Sequence, residues 1–125
     1  MKPVDQTTFG APGGNCFSAC IASILHLPID EVPYFMSDDV NGREWIANLG
    51  EWLKPRGMYP LILSEHAKVP GIHILHGTSP RGPTRHAVVA LGDTIIHDPH
   101  PSRKGIRDVK EKTVLVPYEP HKVKP

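Results

Sequence analysis

Two cysteines and eight histidines carry most of the chemical capability of this 125-residue chain. Cys16 is the first to stand out. It follows Gly13-Gly14-Asn15 and opens an apolar run, which puts a thiol on the first turn of a helix behind a glycine-rich loop. The free N–H groups and partial positive charge at that position stabilise a thiolate and can donate to an oxyanion. A small apolar residue filling a helix face fits the same local pattern, so both readings stand at this point. Cys20 lies one turn further in, where burial in the core is expected. Four residues apart on one helix, the two are expected to stay free thiols.

Among the histidines, most are expected to be surface or satisfied polar groups. His86 differs because it begins the apolar run Ala87-Val88-Val89-Ala90-Leu91. A strand start holds the backbone and leaves the side chain free to reach a neighbour, which suits a general base. Asp98 ends the next apolar run, Ile95-Ile96-His97-Asp98-Pro99. If the two strands pair, a carboxylate at that edge can hold an imidazole tautomer, completing a nucleophile, base and orienter. As a strand end, Asp98 is expected to be only partly buried.

The elements that must position these groups are legible in outline. Asn15 is a candidate N-cap, and Pro28 cannot continue a helix, so a helix of about twelve residues starts at Cys16. Residues 30–40 read as a turn-rich connection. Asn41-Gly42-Arg43-Glu44 opens a second helix in which Trp45, Ile46, Leu49, Trp52 and Leu53 share one face, ending near Pro55-Arg56-Gly57. The two tryptophans read as core. Short β-branched runs follow at Met58–Leu63, Ile72–Leu75, His86–Leu91, Thr94–His97 and Thr113–Pro117. Helices first and hairpin-linked strands afterwards predict a single α+β domain over 1–125 with an antiparallel sheet. Specificity would then come from the loops at 30–41, 64–71, 77–85 and 99–108.

The hairpin at Leu91-Gly92-Asp93 sets a condition. A two-residue turn pairs Leu91 with Thr94, opposes His86 to Pro99 and sends Asp98 to the other face. A three- or five-residue loop pairs His86 with Asp98 directly. On this reading the Cys-His-Asp set requires an odd-length loop.

Composition narrows the function classes. With 14 basic and 13 acidic residues the net charge is +1, and no long single-sign block exists, so no nucleic-acid partner is expected. No apolar stretch approaches the roughly 18 residues of a membrane span, and Met1-Lys2-Pro3-Val4-Asp5-Gln6 lacks an apolar signal core. A cytoplasmic protein with no membrane partner is expected. Its 14 prolines are spread along the chain and read as turn punctuation.

Asn15-Cys16-Phe17-Ser18-Ala19-Cys20 opening a helix, then His86-Ala87-Val88-Val89, then His97-Asp98-Pro99, resembles the papain-like cysteine peptidases. The small bacterial branch that includes bacteriocin-processing peptidases is the most similar. The likeness spans roughly residues 6 to 101, and its motifs are short. It implies a papain-like fold, with the nucleophile helix packed on an antiparallel sheet. It also implies a hydrolase, a thiol protease or amidase, acting on a peptide or protein substrate without a cofactor. Cys16 would be the nucleophile, His86 the base and then the acid, and Asp98 the orienter. The family's oxyanion-hole glutamine sits some six residues before the cysteine, whereas Gln6 lies ten before Cys16. The oxyanion candidates are therefore Gln6, or the Asn15 side chain with the Cys16 N–H. Phe17 stands where the family has glycine and is expected to narrow the approach to the thiol.

Two other classes compete. Cys16/Cys20, His73/His76 and His97/His100 are spaced as possible zinc ligands, though none forms a complete recognised set. A non-catalytic protein-binding module is the other, with Arg81, Arg85, Arg103, Lys104 and Arg107 as a basic rim or as an ordinary solvated surface.

Overall fold

The computed structural model describes residues 1–10, 13–35 and 44–119. Helix α1 (Cys16–Leu25) begins where the glycine-rich loop ends. It stops two residues before the expected boundary because His26 turns left-handed, with φ 59°, and its N–H donates to the Ala22 carbonyl. Leu27, preceding Pro28, is sterically disfavoured from helical geometry, so the chain leaves the helix there. Helix α2 (Glu44–Leu53) carries Trp45, Leu49 and Leu53 into the core. Its expected opening at 41–43 lies outside the described residues, as do 36–40 of the connection before it. A 3-10 turn at Lys54–Arg56 and a left-handed Gly57 then lead into the sheet.

Five strands follow: β1 (Met58–Ser64), β2 (Ile72–Thr78), β3 (Arg85–Leu91), β4 (Thr94–His97) and β5 (Glu111–Pro117). They form one antiparallel sheet in the order β1-β5-β2-β3-β4, an α+β architecture. Each expected strand is present; β2 and β5 run longer than their apolar runs suggest because they pair with neighbours through His76, Glu111 and Lys112. Helix α1 lies against β3 and α2 against β1. Phe17, Ile21, Leu49, Leu53, Ile74, Ala87 and Val89 pack together between helices and sheet. The opposite face is also covered, since Leu75, Val88 and Ala90 pack under Ile106 and Val109. Burial on both faces is why β3 reads as an unbroken apolar run and not an alternating one.

The β3–β4 hairpin corrects the expected loop rule. Its turn is the even, two-residue one: Leu91 pairs with Thr94 and Ala90 with Ile95. Gly92 takes φ 59° at the first turn position, as a type II′ turn requires. The next pair, however, is Val89 with His97, so Ile96 is one residue extra in β4. Such a bulge shifts all later residues to the other face. His97 joins the face of Val89, and Asp98 joins that of Val88 and His86. The odd count comes from the bulge and not from the loop.

Candidate active site

A cleft of about 410 Å³ opens where the start of α1, the start of β3 and the segment after β4 meet. Cys16, His86, His100 and Gln6 all line it. Behind them lies Asp98, 4% exposed and not at a half-open strand end as the sequence suggested. His86 Nε2 donates to Asp98 Oδ1 over 2.7 Å, and each of these side chains is 3% exposed. Cys16 lies close enough to His86 to raise the pKa of the imidazole. With Nε2 committed to Asp98, the ring nitrogen left for sulfur is Nδ1.

Asp98 is held on every side. The His100 N–H donates to Oδ1 at 2.9 Å, an Asx turn across Pro99, and the Gly105 N–H donates to Oδ2 at 2.7 Å. Arg103 Nη1 donates to the Asp98 carbonyl and to Asp5 Oδ1. Burial works against the carboxylate, but His86 and the two backbone N–H groups outweigh it and hold its pKa below the usual 3.8. Burial likewise opposes charge on His86. The hydrogen bond to Asp98, then the neighbouring Cys16 and the Asp98 charge, overcome that and raise its pKa to about 9. The imidazole is therefore a cation at neutral pH, wedged between two acids. Cys20 is fully buried in the core, and burial first, then the neighbouring Cys16, pushes its thiol well above 9.0.

The loop before Cys16 places the remaining lining groups. The Gln6 N–H donates to the Pro99 carbonyl and Gln6 Nε2 to the Thr8 carbonyl, while its buried Oε1 has no partner among the described residues. Gln6 thus reaches the cleft despite its ten-residue offset. Asn15 does not line it. Its Oδ1 accepts from the Thr7 and Thr8 N–H groups and its Nδ2 donates to Thr7 Oγ1, so the side chain staples the 7–8 backbone and does not cap α1. A Cβ on Gly14 would sit 2.5 Å from the Gly10 carbonyl oxygen, so the loop closes this tightly only with glycine there. Phe17 points away from the thiol. It is 3% exposed and packs edge-on against Trp45 and Phe35, so it does not narrow the approach.

The other expected residues separate. His97 Nε2 donates to the Val4 carbonyl, away from sulfur. His73 and His76 are buried in β2, the first donating to the Gly71 carbonyl and the second 2.7 Å from Thr113 Oγ1. Among the described residues no three His, Cys, Asp or Glu side chains converge to hold a metal ion. The basic residues do not act as one rim. Arg103 is paired with Asp5, Arg107 donates to the Ser79 and Gly82 carbonyls, and Arg81 and Arg85 line the cleft. The Ser79–Thr84 wall belongs to the 77–85 loop expected to set specificity, whereas sequence reading missed the cradle of Asp98 by Gly105. The Asp98-Pro99-His100 run carries an Asx-turn signal, whereas the Gly105 donor arrives through tertiary folding and has no local signature.

No family model, curated protein or solved structure matches the chain. Among the described residues no helix is long and apolar enough to cross a membrane.

Proposed function

We propose that this chain is a cysteine-dependent hydrolase of papain-like type, acting by acyl transfer on an amide, isopeptide or thioester of a peptide or protein. The reading is carried by one observation: a buried 2.7 Å contact between His86 and Asp98, with Cys16 beside the same imidazole on the wall of an open cleft.

In this scheme the Cys16 thiolate attacks the substrate carbonyl carbon, forming a C–S bond and moving the π electrons to oxygen. The Cys16 N–H at the start of α1 and Gln6 Nε2 are the donors for that oxyanion. His86, protonated and held by Asp98, gives its Nδ1 proton to the leaving nitrogen as the C–N bond breaks. Water then enters, loses a proton to His86 and attacks the thioester, which releases the carboxylic acid and regenerates the thiolate. Asp98 keeps the imidazole oriented throughout and stabilises its cationic form. Two free thiols, with no disulfide to maintain, suit a reducing compartment, and the proposal places the reaction in the cytoplasm.

The test is a panel of fluorogenic peptide amides and peptide thioesters, run with wild type and Cys16→Ala. Turnover lost in the variant supports the reading. Turnover unchanged in Cys16→Ala, or none across the whole panel together with no acyl adduct on Cys16, removes it.

A further inference from the structure

The described lining of the cleft contains no acidic residue, although Asp and Glu are almost as numerous in the chain as Lys and Arg. Two arginines border it. Arg85 is the first residue of β3, adjacent to His86, and its exposed side chain makes no ion pair or hydrogen bond among the described residues. Arg81 is exposed on the facing loop, and its Nη1 donates to Ser102 Oγ at 2.9 Å, which fixes the guanidinium without neutralising it. That loop is itself anchored, because Arg107 Nε donates to the Ser79 carbonyl and Arg107 Nη2 to the Gly82 carbonyl. The charge is therefore presented on a held backbone. Its field is felt inside the cleft: after burial, Arg81 is the largest influence lowering the pKa of His100. The acids nearby are already used. Asp98 is buried behind His86, and Asp5 is paired with Arg103.

Resting on the hydrolase reading above, we infer that the cleft takes peptidic ligands bearing a carboxylate, which Arg81 and Arg85 hold beside the carbonyl presented to Cys16. A planar carboxylate is the anion a peptide supplies, either as an acidic side chain or as its free C-terminus. Guanidinium groups match it with paired N–H donors. Phe9, 52% exposed at the mouth and edge-on to His100, offers an apolar surface beside the charge. The small lining groups Gly10, Gly14 and Gly82 leave the backbone accessible to an extended chain.

The experiment separates this inference from its parent. Cys16 is alkylated with iodoacetate and with iodoacetamide, each reaction forming a C–S bond and releasing iodide, and the rate ratio is compared with that of free cysteine. A ratio raised about tenfold by local attraction is expected, falling towards the free-thiol value in high salt. Arg85→Gln and Arg81→Gln should each lower the ratio, and Arg85→Lys should retain most of it. The cationic His86 contributes to the same ratio, so the arginine share is the part lost in the Gln variants, and Arg85→Lys, which keeps the charge, separates that loss from misfolding. A wild-type ratio equal to that of free cysteine overturns the inference. A second arm compares three peptides: amidated with Glu near the scissile bond, amidated with Gln there, and the Gln peptide with a free C-terminus. Faster turnover of the first or the third supports the inference and identifies which carboxylate is read. Turnover that does not distinguish the three overturns it while leaving the hydrolase reading intact. A raised alkylation ratio with no turnover of any peptide removes the hydrolase reading and keeps the carboxylate preference.

Discussion

Val89 faces His97 across the β3–β4 ladder, one residue beyond the partner that the Leu91–Thr94 register would assign. This single offset puts Asp98 on the side of His86 and lets the two side chains meet at 2.7 Å. Without it the carboxylate would point towards the α1 face of the sheet. Bulges occur often beside sites where a side chain must be re-aimed, and here the re-aimed group is the partner of the candidate base.

Cys16 should react far faster than Cys20. Cys16 is partly exposed on the cleft wall beside a cationic imidazole, whereas Cys20 is fully buried with its thiol pKa raised. Brief iodoacetamide treatment of the native protein at pH 7, followed by peptide mass spectrometry, should find the label on Cys16. Label predominantly on Cys20, or on neither, counts against the nucleophile assignment.

Asp98→Ala should damage both activity and stability. Removing the carboxylate leaves a buried imidazolium and the N–H groups of His100 and Gly105 without their acceptor. Breaking a buried pair in this way costs about 3–5 kcal/mol. Asp98→Asn, which keeps an acceptor oxygen, separates the two effects. It should remain folded in chemical denaturation while turnover falls by up to ~10⁴-fold, because the imidazole loses its fixed tautomer and charge partner. An Asp98→Asn protein with full turnover would leave Asp98 as a turn former only.

Stability should fall on the alkaline side before pH 9. The folded pKa of His86 is about 9 against an ordinary 6.5, so its contribution is complete below 6.5 and is lost as pH rises through about 9. Asp98 runs the other way. Its folded pKa lies below 3.8, so its contribution is present above 3.8 and is lost as pH falls below that value. Melting temperature measured from pH 3 to 10 should therefore show a plateau on the acidic side of neutrality. Amide turnover should decline above about pH 9 as the leaving-group acid deprotonates. In His86→Ala the alkaline fall in melting temperature should be reduced.

Phe17→Ala should cost about 3–5 kcal/mol, the usual penalty for emptying a buried aromatic site. It should not speed turnover of bulky substrates, because the ring fills the core between Trp45 and Phe35 and not the cleft. Urea unfolding and kcat/KM on substrates of two sizes check both halves. A gain with the larger substrate would show that position 17 gates the thiol.

Spacing and residue type alone determined the start of α1 at Cys16, the burial of Cys20 and both tryptophan-bearing turns of α2, and the five strands. Each of these depends on local preferences: a proline that stops a helix, an apolar face recurring every 3.6 residues, β-branched runs bounded by glycine or proline. Cys16, His86 and Asp98 were legible as candidates for the same reason, since a helix start and two strand ends are places where the backbone is held and side chains reach outward. What tertiary structure decided was which of those side chains meet. Ile96 carries no mark that makes it the extra residue of a bulge, so the face of Asp98 was open until β3 and β4 paired. Asn15 looked like a helix cap, yet its amide bonds the Thr7–Thr8 backbone, eight and seven residues earlier, while Gln6 swings into the cleft because its backbone pairs with Pro99. Phe17 follows the nucleophile in sequence but lies on the adjoining helix face, about 100° around, where the core claims it. Local preferences specify elements; the direction of a side chain at an element's end is set by contacts with residues 7 to 98 positions away, and those arise only when the chain folds.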